Sequence, residues 1–142
     1  MTDRTANVVW QGDLLSGSGT IAAAPSGAFG PLDVTWASRA EEPDGRTSPE
    51  ELIASAWAAC FAMALSNGLA KGGTPPERLE TSATVSFQPG VGIVKGALTV
   101  RGTVAGLDAQ AFAAAAEVAK LECPVSKALA GVPDVSVDAT LA

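Results

Sequence analysis

The chain reads as an α+β fold with a largely antiparallel sheet around one long helix. Three features carry that reading: a long uncharged helical stretch with a cysteine at its centre, two strongly alternating segments after it, and a helix pair that leads into a last alternating segment. At 142 residues the chain fits one domain, residues 1–142, large enough to bury a core without disulfide staples.

Taken in order, residues 6–12 alternate weakly, with Ala6, Val8 and Trp10 on one side, and the turn-rich Gly12 to Gly19 leads to a second strand at Thr20 to Ala23. A loop with Pro25, Gly27, Gly30 and Pro31 precedes a third strand, Asp33 to Arg39, and the charged segment EEPDGRT turns the chain toward the helix. That helix begins with clear punctuation: Ser48 as N-cap, Pro49 at the first helical position, and Glu51 completing a capping box. Between Leu52 and Ala70 there are 19 residues without a charge, so no wet stripe is visible and the helix is expected to be buried on most sides. A membrane span has this length, but Ser55, Ser66, Asn67, Gly68 and the many alanines favour a core helix in a soluble protein.

Gly72, Gly73, Pro75 and Pro76 end the helix. Leu79, Ala83, Val85 and Phe87 then alternate with Glu80, Ser82, Thr84, Ser86 and Gln88, and Val94, Leu98, Val100 and Val104 alternate with Lys95, Thr99, Arg101 and Thr103, as an antiparallel pair does with one wet face. Asp108 caps an alanine-rich helix that runs to about Leu121, with Phe112 and Val118 as its bulkier apolar contacts. Pro124 opens a further short helix and puts Cys123 at or next to its N-cap; Val135, Val137, Ala139 and Leu141 mark the final strand.

Composition excludes several functions. The net charge of −6 is mixed rather than blocked, which disfavours nucleic-acid and anionic-membrane partners. Histidine is absent, which removes Ser/His and Cys/His nucleophile pairs, and two cysteines are too few for a structural zinc site. No phosphate-binding glycine loop is present, and neither a cofactor nor a metal is called for. Nothing at the start resembles an export signal, so a cytoplasmic protein with reduced thiols is expected. Sulfur is left as the carrier of any chemistry.

The cysteines are 63 positions apart, far from a CxxC spacing. Burial in an apolar helix raises the pKa of Cys60, whereas Cys123 at a helix start favours its thiolate, so electrostatics alone ranks Cys123 as the stronger nucleophile. The combination SPEELIASAWAACFAMAL and CPVSKAL resembles the paired signature of the OsmC/Ohr family of thiol-dependent hydroperoxide reductases, closer to the OsmC branch, and the likeness extends over the whole chain. The resemblance reverses the ranking: it implies that Cys60 attacks the peroxide and Cys123 resolves the product into a disulfide. It further implies an arginine, held by a glutamate, that stabilises the thiolate. By motif the glutamate is Glu50 and the arginine Arg39, with Arg46 as the alternative.

Ten helical residues separate Glu50 from Cys60 by about 15 Å, so either Arg39 spans part of the gap or, the preferred reading, Glu50 and Arg39 reach the thiol of a second subunit, in keeping with the intertwined homodimer that the resemblance implies. The implied substrate is an organic hydroperoxide and the implied reductant an external dithiol or lipoyl protein. Trp57, Phe61, Met63 and Trp36 are candidates for the apolar substrate pocket, although Trp57 and Phe61 suit a plain core equally well. The competing reading is a non-enzymatic module of the same fold that binds a small apolar ligand or senses hydroperoxide.

Overall fold

A computed structural model describes residues 1–142, and the chain divides into two compact units, residues 1–52 and 53–142. In the first unit, β1 (Val8–Gln11) pairs antiparallel with β2 (Ser18–Ile21), Val8 opposite Ile21 and Gln11 opposite Ser18. The connecting turn is closed by the Asp13 carboxylate, which accepts from the Ser16 N–H at 2.7 Å and hydroxyl at 2.8 Å. β3 (Leu32–Val34) pairs antiparallel with β2. Every residue of β1 is exposed, so the expected dry side at Val8 and Trp10 is not buried within the chain.

The expected third strand stops early. Residues 36–40 form a short helix instead, α1 (Trp36–Ala40), and both Trp36 and Arg39 lie on it. Its start is a reciprocal cap: the Ser38 N–H donates to the Thr35 hydroxyl at 3.1 Å, and the Thr35 N–H donates to the Ser38 hydroxyl at 3.0 Å. The alternation of Val34 and Trp36 spans too few residues to outweigh that local bonding. Ser38 also donates its proton to the Thr47 carbonyl at 2.8 Å, and the Thr47 N–H donates to the Asp33 carbonyl at 3.0 Å. These bonds set α1 beside the start of α2 (Pro49–Lys71). There the Glu51 N–H donates to the Ser48 hydroxyl at 3.1 Å, and the Glu51 carboxylate accepts from Thr47 Oγ1 at 2.7 Å.

The second unit holds the rest of α2, which ends in a Schellman turn. The Gly73 N–H donates to Ala70 O, the Thr74 N–H donates to Leu69 O, and Gly73 takes the left-handed φ of 88° that a side chain would resist. β4 (Arg78–Gln88) and β5 (Gly92–Thr103) are antiparallel, with a bulge opposite Ser86 and Phe87. α3 (Ala109–Glu122) and α4 (Pro124–Ala128) then form the crossover to β6 (Asp134–Leu141), which pairs with β5 in parallel. β5 is therefore the central strand of a mixed sheet, and the last strand departs from the antiparallel pattern. Asp108 caps α3 as expected, accepting from the Ala111 N–H at 2.8 Å.

The core of this unit is built on one face of β5. From α2, Trp57, Phe61, Leu65 and Leu69 recur every four residues and are buried against Leu98 and Val100 of β5 and Phe112, Ala116 and Ala119 of α3. Burial of each large side chain contributes about 1.5–3 kcal/mol. Two glycines make room for the rings: a Cβ at Gly96 would stand 2.7 Å from the Trp57 indole, and one at Gly102 would collide with the Phe112 ring. Val118 is exposed, because it lies on the opposite side of α3 from Phe112 and Ala116.

α2 departs from expectation in one respect. It is long and apolar enough to cross a membrane, yet its buried residues are confined to Glu50 and the Trp57 to Leu69 stripe, while Ser55, Ala56, Ala59, Met63 and Ala70 are exposed and Met63 is 73% accessible. Small residues hide this asymmetry in the sequence, since alanine and serine read alike on either face.

Candidate active site

Within the second unit, α2 carries Cys60 on the flank of the buried stripe, where it is partly exposed. Cys123 is fully buried and sits where α3 hands over to α4. Its N–H still completes α3, donating to Ala119 O at 2.9 Å, and its carbonyl already accepts from the Lys127 N–H at 3.0 Å. Pro124 at the first helical position fixes the break between the two helices. The fold packs the two free thiols, 63 positions apart in sequence, into one cluster, close enough for each to influence the ionisation of the other.

Their environments differ. Burial pushes the Cys60 thiol up; the Val125 N–H pulls it back in part, and the hydrogen bond and charge of the neighbouring Cys123 sulfur push it further up. Burial works against the Cys123 thiolate as well, but the Ser126 N–H, the Cys60 thiol, the Ser126 hydroxyl and the Val125 N–H outweigh it, and its pKa falls below the usual value. The Cys123 sulfur makes no hydrogen bond that caps α4. The electrostatic ranking read from sequence, Cys123 above Cys60, is what this geometry favours.

A measurable consequence follows for Cys60. Replacing Cys123 with alanine removes two of the influences that raise it, so the pH midpoint for alkylation of Cys60 by iodoacetamide, followed by mass spectrometry, is expected to move down. At a fixed pH below that midpoint the reactive fraction increases. An unmoved or higher midpoint contradicts the assigned coupling.

In the first unit, Arg39 and Glu50 form a forked ion pair. Arg39 Nε donates to both carboxylate oxygens at 3.1 Å and Nη2 donates to Oε1 at 2.8 Å. Glu50 is buried in the first turn of α2 and the Arg39 side chain is about a third exposed. Arg46 instead pairs with the exposed Asp44 at 3.6 Å. Of the pocket candidates, Trp57 and Phe61 are wholly buried in the core of the second unit, Met63 lines an open groove with Ala62, Ser66, Pro76 and Leu79, and Trp36 is half-buried on α1.

Sequence reasoning gave Ser126 no role. Its hydroxyl accepts the Trp57 indole N–H at 2.7 Å across 69 positions of sequence and faces Cys123. The only local signal was its place three residues after Cys123, inside CPVSKAL.

The fold and the thiol pair define a class, that of α+β proteins with two interacting cysteines on a long helix and a helix junction. More particularly, the chain belongs to the OsmC-like protein family, whose profile matches residues 42–138. It is 41% identical over 123 residues to peroxiredoxin OsmC of Escherichia coli (strain K12), covering 84% of this chain and 85% of that one. Among solved structures it is similar to the organic hydroperoxide resistance protein OhrB of Bacillus subtilis, with a TM-score of 0.67, 27% identity and coverage of 97% and 98% of the two chains. An OsmC-like protein from Mycoplasma pneumoniae shares the fold, with a TM-score of 0.70 at 16% identity and 99% coverage of both chains.

Proposed function

We propose that this protein is a thiol-dependent peroxidase that reduces organic hydroperoxides to alcohols. The observation that carries the reading is the contact between Cys60 and Cys123 in a chain 41% identical to a peroxiredoxin. The Cys60 thiolate attacks the distal peroxide oxygen; the S–O bond forms, the O–O bond breaks, and the alkoxide leaves with a proton as the alcohol. Cys123 then attacks the Cys60 sulfenic acid, water leaves, and the two sulfurs join. An external dithiol or lipoyl protein returns both thiols.

Cys60 needs a cation for this role, because its own surroundings hold it protonated. Arg39, oriented by Glu50, supplies it in our reading, to the Cys60 of a second copy. A homodimer would also cover the exposed small-residue face of α2 and the open strand β1. Met63 and Trp36 are proposed to contribute apolar surface for the substrate, with Trp57 and Phe61 as support behind it. The proposed compartment is the cytoplasm, where a reducing pool keeps the pair cycling.

The test is consumption of cumene hydroperoxide with dihydrolipoamide as reductant, compared with hydrogen peroxide. Sustained turnover that favours the organic substrate is expected. One oxidation per chain without cycling identifies a sensor instead, and no oxidation at all ends the peroxidase reading.

A further inference from the structure

Trp57 is wholly buried and carries a hydrogen-bond donor that cannot accept; its N–H is satisfied by Ser126 Oγ at 2.7 Å. A serine hydroxyl has one proton and two lone pairs, so an oxygen occupied by the indole donor keeps its proton for another acceptor. Ser126 stands in the first turn of α4, three residues on from Cys123 at its N-cap, so the Cys123 sulfur is the group that proton can stabilise when the sulfur carries charge. Trp57 is in turn held in place by its seat over Gly96, which leaves the ring no side chain to yield. The orientation of the Ser126 proton is thus fixed from the core outward.

We infer that Ser126, aligned by the Trp57 indole, is a positioning residue for Cys123, and that it makes Cys123 the departing sulfur when an external dithiol reopens the Cys60–Cys123 disulfide. The inference rests on the peroxidase reading for the disulfide but not for the hydrogen-bond chain. In the step, a thiolate of the dithiol attacks Cys60 Sγ and a new S–S bond forms there. The protein S–S bond breaks, and its electron pair goes to Cys123 Sγ, where the Ser126 proton stabilises the charge. The second thiol of the dithiol then displaces Cys60, so two electrons and two protons pass from the dithiol to the protein. Access points the same way, since Cys60 is partly exposed and Cys123 is buried. A lower leaving-group pKa speeds thiol exchange, so both factors select Cys60 for attack.

Two measurements on the full chain test this. In a Cys60→Ala background the Cys123 thiolate is titrated by its ultraviolet absorbance. Ser126→Ala and Trp57→Phe are expected to raise the midpoint, and Ser126→Thr to restore it; an unmoved midpoint in Ser126→Ala overturns the inference even where Trp57→Phe folds poorly. Separately, the disulfide is formed with diamide and reduced with dihydrolipoamide. Ser126→Ala is expected to slow reduction about three- to tenfold, as the loss of a hydrogen bond to a charged sulfur implies. A mixed disulfide with 2-mercaptoethanol, trapped and mapped by mass spectrometry, is expected on Cys60; its appearance on Cys123 overturns the assigned direction. Because diamide makes the bond without any peroxide, a protein that behaves this way yet consumes no hydroperoxide sinks the peroxidase reading and leaves the role of Ser126 standing.

Discussion

Cys60→Ser is expected to abolish hydroperoxide consumption, by about a thousandfold or more, while Cys123→Ser leaves a single burst of about one equivalent per chain. In the proposed mechanism the two variants separate because the two sulfurs do different work. A serine hydroxyl is far too weak an acid to supply an anion in an apolar helix, so nothing attacks the peroxide oxygen when Cys60 is gone. On the proposed mechanism, with Cys123 replaced and no dithiol added, Cys60 still reaches the sulfenic acid, but the neighbour that closes the disulfide is missing and the oxidation stops there. Intact-mass measurement after one equivalent of cumene hydroperoxide reads this directly, as a gain of one oxygen in Cys123→Ser and none in Cys60→Ser. Turnover by Cys60→Ser comparable to the unmodified protein would assign the attack to Cys123, the sulfur whose pKa is already the lower of the two.

Arg39→Met is expected to slow oxidation of Cys60 by roughly two orders of magnitude and to cost the protein about 2 kcal/mol of stability. The kinetic loss has the size seen when one preorganised charge donor is removed from a reacting centre. The stability loss comes from Glu50, whose buried carboxylate loses three hydrogen bonds. Breaking a fully buried pair costs about 3–5 kcal/mol, and the partial exposure of Arg39 halves that figure. A second substitution, Glu50→Gln, is expected to restore stability without restoring the rate. Denaturant midpoints and stopped-flow oxidation of the single and double variants separate the two effects. A double variant that recovers both would reduce the arginine to a structural partner of the glutamate.

Local bonding explains what the amino-acid sequence disclosed. The start of α2 at Ser48 and Pro49, its stop at Gly72 and Gly73, the Asp108 cap and the restart at Pro124 each depend on groups within five residues of one another. The alternation of β4 and β5 was equally plain, because each strand buries one face along most of its length. α1 escaped notice since its signal, Thr35 and Ser38, is as local as the others but embedded in an apparent strand that runs five residues too far. The two-sided character of α2 escaped for a different reason: its exposed face is built of alanines that carry no mark of exposure.

The chemistry divides along the same line. That Cys60 and Cys123 belong together could be taken from a family resemblance, but residue spacing alone offered no reason for it. Contact between sulfurs 63 positions apart, the parallel seating of β6 on β5, and the bond from Trp57 to Ser126 all arise when α2 and the α3–α4 crossover settle on the same face of one sheet. A chain can write its caps and turns into short stretches because hydrogen bonds there join near neighbours. Which distant side chains meet depends on how whole faces pack to exclude water, and that information is spread over the core rather than held in any motif.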